Sequence, residues 1–135
     1  MSEINFTITE FPRNLSESYS AIAGTEGRIT FHINSREFFC EDNMLVLEFG
    51  VALKKWLDAL EANDKSNFLY SSLIVEEEPF IQFIYAGENK FEIKCAWNSR
   101  SENTSREDLV QASLEFLRQL KVQLKESYSY IAPQL

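Results

Sequence analysis

The sequence predicts an α+β fold: one domain over residues 1–135, with an antiparallel sheet of about five to six strands and two main helices in the order βββαβββα. Three observations predict it. "GRITFHINSREFF" alternates apolar and polar residues, the mark of strands with one buried face. The rhythm then changes to every third or fourth residue in "LVLEFGVALKKWLDAL", the mark of an amphipathic helix. The same succession, strands and then a helix, returns in the second half of the chain, and the short connections favour antiparallel neighbours.

Each element has its own local reason. In "INFTITEF", Ile4, Phe6 and Ile8 share one side and Asn5, Thr7 and Thr9 the other, a half-buried strand that Pro12 ends. "RNLSESYSAIAGTEG" reads as a connection in which Tyr19 and Ile22 dock on the core or a short helical turn forms. Ile29, Phe31 and Ile33 then face inward, Thr30 and His32 outward, and "NSR" turns the chain into "EFFC". Asp42 or Asn43 is the expected cap of the first main helix, whose buried stripe is Phe49, Ala52, Leu53, Trp56, Leu57 and Leu60. "ANDKSN" stops it. The β-rich runs "FLYSSLIV", "FIQFIYA" and "KFEIKCAW" follow, the last two joined through "GEN" into a second hairpin, and "NSRSEN" reads as a polar loop. "TSRE" has capping-box form, with Thr104 as cap and Glu107 reaching back, and opens a final helix that buries Leu109, Ser113, Phe116, Leu117, Leu120 and Leu124.

Charge narrows the partners. The formal net charge is −8 and the isoelectric point about 4.7, against the basic footprint that nucleic-acid binding needs. Residues 1–103 hold 9 basic and 17 acidic side chains, and residues 104–135 hold 4 of each, so the whole excess precedes the final helix. A neutral or basic partner suits such a chain. No run approaches the roughly 18 apolar residues of a membrane span. The start "MSEINFTITEF" has an acid where a signal peptide carries bases, which predicts a cytoplasmic protein.

Catalytic and metal motifs are scarce. Cys40 and Cys95 belong to no CxxC pair or Cys/His cluster and read as buried, reduced thiols. His32 is the sole histidine, on the polar side of its strand, so schemes that need Ser–His, Cys–His or several imidazoles all hang on it. None of the four glycines has the spacing of a phosphate-binding loop, and no two of the 21 acids stand out as a glycosidase pair. Trp56 and Trp97 fall on buried faces as core anchors. No enzyme activity, cofactor or metal is therefore expected. The acidic run Glu76, Glu77 and Glu78, before Pro79, is either a solvated loop or part of an acidic face. In the second reading Glu41 and Asp42, before the helix, and Glu88 and Glu92, around the second hairpin, join it to meet a basic protein.

The series "GRITFHINSREFF", "LVLEFGVALKKWL", "FLYSS…EEEPFIQF", "FEIKCAW" and "SREDLVQASLEFLRQL" resembles small bacterial immunity proteins of polymorphic toxin systems, including contact-dependent growth inhibition, over most of residues 27–120. The resemblance implies a non-enzymatic cytoplasmic binder that blocks one cognate toxin domain, often a nuclease with a basic substrate groove. It supplies no catalytic residues. Two other functions fit the residues: a small-molecule-binding domain with a pocket between sheet and helices, and an accessory subunit of an unrelated complex.

Overall fold

The computed structural model describes residues 1–15, 19–72, 79–96 and 98–135, without the side chains of residues 98 and 99. The elements follow in the order β1 (Glu3–Glu10), α1 (Ser20–Gly24), β2 (Glu26–Ile33), β3 (Arg36–Leu45), α2 (Val46–Ala62), β4 (Phe68–Tyr70), β5 (Ile81–Gly87), β6 (Lys90–Cys95), β7 (Asn98–Ser105) and α3 (Arg106–Tyr128). The α+β class and the antiparallel pairing are as expected. The strands, however, form two sheets, β1-β2-β3 and β4-β5-β6-β7, seven strands among the described residues in place of five to six in one sheet. A short helix, α1, also joins the two main ones.

Local chemistry explains the hairpins. Asn34 and Ser35, at φ 53° and 65°, and Glu88 and Asn89, at φ 52° and 57°, make two-residue turns with both central residues left-handed, which suits the twist of the flanking strands. The third strand runs further than its sequence suggests, through Glu41, Asp42 and Asn43 to Leu45. The β2–β3 register shifts between Gly27 and Ile29, and Asn43 beside that shift adopts φ 58°, as a bulge permits. These residues therefore cap no helix: Leu45 precedes α2 without a side-chain cap, and the Val46 amide donates instead to the Thr25 carbonyl at 2.9 Å.

The "NSRSEN" segment is likewise a strand, not a loop. Asn98–Ser105 pairs antiparallel with β6 along its length, and its polar side chains suit the edge of a sheet. It also moves the cap of α3 by one residue. Ser105 is the cap and its Oγ accepts from the Asp108 amide at 3.1 Å, whereas Thr104 is buried and shares a 3.0 Å hydrogen bond with Ser2.

Both sheets turn their apolar faces to one core. Phe49 of α2 stands at its centre, with ring contacts at 5.8 Å to Phe31, 5.8 Å to Phe68, 5.2 Å to Tyr70 and 5.4 Å to Phe116 of α3. Phe31 of β2 meets Phe83 of β5 at 6.1 Å, and Phe39 meets Phe80 at 5.8 Å, which joins the inner faces of the two sheets. Each such ring contributes about 1.5–3 kcal/mol by leaving water. Trp56 is the anchor its spacing predicts, packed on Phe68, Phe83 and Phe91 with its indole N–H donating to the Ser66 carbonyl at 2.9 Å. Trp97 lies outside the described residues. Ile22 docks on the core and a short helical turn forms, as expected, with Ala21 buried beside it, whereas Tyr19 is 62% exposed.

Candidate functional site

With α2 and α3 on the inner side, the outer face of the three-stranded sheet is left to solvent. Alternation along β1, β2 and β3 decides what it shows. Antiparallel register puts Glu3, His32 and Glu37 in one cross-strand row, Asn5, Thr30 and Cys40 in the next, and Thr7 beside Arg28 in a third. Across these three strands stand six carboxylates (Glu3, Glu10, Glu26, Glu37, Glu41 and Asp42) and two arginines (Arg28 and Arg36). The strands of the other sheet carry Lys90, Lys94 and Arg100 against Glu92 and Glu102, so their charge nearly cancels.

The electrostatics within the face are uneven. Arg28 Nε donates to Asp42 Oδ1 at 2.7 Å, an exposed ion pair of little consequence for stability. At the end of the sheet Glu10 lies opposite Glu26, and the hydrogen bond that a protonated Glu26 donates to the Glu10 carboxylate is the main cause that pushes the Glu26 carboxyl above its usual range, with smaller parts from burial and the Glu10 charge. Among the described residues neither carboxylate has a salt bridge. The Thr30 hydroxyl donates to Cys40 Sγ at 3.4 Å.

Of the sequence-predicted site residues, Glu76, Glu77 and Glu78 lie outside the described residues. The others do not form one cluster. Glu41 and Asp42 sit on β3 of the three-stranded sheet, where Asp42 is held by Arg28. Glu88 occupies the β5–β6 turn, beside an open groove it lines with Asp64, Lys90, Arg106 and Glu107. Glu92 accepts from the Ser101 hydroxyl at 2.8 Å and pairs with Lys94 at 3.4 Å, and these partners hold its carboxyl below the usual range. The residues that sequence reasoning missed are Glu3, Glu10, Glu26 and Glu37. They lie on or beside three strands that the alternation marks, and what was lacking was the pairing that aligns them.

The cysteines divide. Cys95 is buried as expected, but Cys40 is exposed, because the irregular register between Phe31 and His32 turns Phe38 and Phe39 inward and leaves the thiol outside. His32 is half-buried, not fully in solvent, and its Nδ1 is enclosed without a hydrogen-bond partner among the described residues. Among those residues no group of three His, Cys, Asp or Glu is placed to hold a metal, and no helix is long and apolar enough to cross a membrane.

Fold and surface together define a two-sheet α+β domain with an open, acidic sheet face. The chain belongs to the family described as a domain of unknown function, DUF7878, whose model matches residues 4–126. No curated protein and no solved structure matches it.

Proposed function

We propose that this protein is a non-enzymatic cytoplasmic immunity protein that binds and neutralises a cognate bacterial toxin domain, a nuclease with a basic substrate groove. The observation that carries the reading is the uncovered three-stranded sheet, whose strands carry six carboxylates to two arginines, with Glu3, Glu26, Glu37 and Asp42 among those on its outer side and a Glu10–Glu26 pair that has no salt bridge among the described residues. A toxin that cleaves nucleic acid presents cations to phosphate, and a rigid acidic sheet competes for the same groove and speeds encounter by electrostatic steering. The carboxylates of Glu3, Glu26, Glu37 and Asp42 take the central part here, and Glu76, Glu77, Glu78, Glu88 and Glu92 stay as further candidates for partner contact.

Two features favour binding over chemistry. The exposed Cys40 thiol takes its hydrogen bond from Thr30 and not from His32, so it lacks the base a nucleophile needs. The space between the two sheets lined by Phe31, Phe38, Phe39, Ile81, Ile93 and Cys95 has no room for a water molecule, which removes one pocket a small-molecule reading would use.

The test is co-expression with the toxin domain encoded beside the gene, with growth and co-purification scored together. Restored growth and a stable complex are expected. Growth arrest despite good expression of this protein overturns the reading, and co-purification with a harmless neighbour moves the protein to the accessory-subunit class.

A further inference from the structure

The outer edge of β1 offers a second, different surface. Among the described residues β1 pairs with β2 alone, so its other edge carries main-chain N–H and C=O groups that no strand satisfies. Beside that edge runs a trough of about 560 Å³ between the start of β1 and α3. Its floor is apolar, Ile4 and Ala112. Its helical wall is a polar stripe, Asp108, Gln111, Glu115 and Gln119, at the three- and four-residue spacing that puts side chains on one face of a helix.

The two walls match in length. Residues 1–5 extend over about 16 Å at roughly 3.3 Å per residue. Residues 108–119 rise over about 18 Å at 1.5 Å per residue. A trough of that length beside an unpaired edge fits one extended segment of four or five residues. Glu3, Asp108 and Glu115 line it and no basic side chain does. The chain's amino group lies 3.7 Å from Asp108 and Arg118 pairs with Glu115 at 2.6 Å, while Glu3 has no salt bridge among the described residues.

We propose that this trough receives an extended, lysine- or arginine-bearing segment of a partner protein, which adds to β1 as a further strand while its cations meet the carboxylates that line the trough. Main-chain pairing supplies the fit, and the exposed side-chain amide of Gln111 supplies a further donor and acceptor. The inference needs only a partner polypeptide and stands whether or not that partner is a toxin.

The probe is a fluorescent ten-residue peptide of alternating threonine and lysine. Binding that weakens as salt rises is expected, with slower hydrogen exchange at the amides of residues 3–7. The same peptide with N-methylated main chain, or with glutamate in place of lysine, is expected to bind about tenfold more weakly or worse. Glu3→Lys and Gln111→Lys, both exposed positions, are expected to weaken binding about tenfold while circular dichroism shows the fold intact. Equal binding of the N-methylated peptide overturns strand addition. Equal binding of the glutamate peptide, no protection at residues 3–7, or no effect of both lysine substitutions overturns the site. A growth assay that fails while the peptide still binds counts against the toxin reading alone.

Discussion

At the scale of single residues the consequences follow from what each side chain touches. Phe49 is fully buried and meets Phe31, Phe68, Tyr70 and Phe116, so it links α2 to both sheets and to α3. Phe49→Ala leaves a cavity that four rings on three elements cannot close together. A loss of about 3–5 kcal/mol in urea unfolding is expected; a loss under about 1 kcal/mol shows that the core closes over the gap. Glu26 makes a pH prediction. Its carboxyl is raised in the folded protein, so its contribution is fully present below the unfolded pKa and is lost as pH rises through the folded one. Glu26→Gln keeps a donor toward Glu10 and removes the charge. Its melting temperature is expected to exceed the wild type's near pH 7 and to converge with it near about pH 4. An unchanged difference between those two pH values refutes the coupling.

At the scale of elements the cap of α3 is the informative case. Sequence favours Thr104 as cap because a threonine precedes a glutamate by three residues. The structure uses Ser105, since β7 continues through Thr104 and draws its hydroxyl into the buried contact with Ser2. Ser105→Ala removes the acceptor for the Asp108 amide and is expected to cost about 1 kcal/mol, with faster exchange confined to the first turn of the helix. If Thr104→Ala frays that turn and Ser105→Ala does not, the capping box is restored. Gly27 shows a second constraint at this scale. A Cβ there would stand 2.0 Å from the Thr7 carbonyl oxygen, so only glycine lets β1 approach β2 at that point.

For the whole molecule the question is where charge gathers. The chain's acidic excess had suggested a surface centred on residues 76–78, yet among the described residues the carboxylates accumulate on the three-stranded sheet while the other sheet nearly balances. Replacing Glu10, Glu26 and Glu37 together by glutamine is expected to slow association with the proposed toxin partner and flatten its salt dependence. The parallel triple replacement at Glu76, Glu77 and Glu78 is the control. If only that control slows association in stopped-flow traces, the sheet face is a solvated surface and the interface belongs to the acidic run.

What the sequence by itself determined depends on local period and turn chemistry. Ile29, Phe31 and Ile33, then Phe91, Ile93 and Cys95, face inward because side chains alternate along any strand, and Phe49, Leu53, Trp56 and Leu60 share a face because a helix repeats every 3.6 residues. Tertiary structure alone decided the division into two sheets, the recruitment of the polar Asn98–Ser105 segment as an edge strand, and the extension of β3 through Glu41–Asn43. Main-chain hydrogen bonds hold those segments, and every residue but proline offers the same donor and acceptor, so side-chain pattern carries no record of them. The acidic face has the same origin. Glu3 is far in the chain from His32 and Glu37, and only strand register places the three in one row.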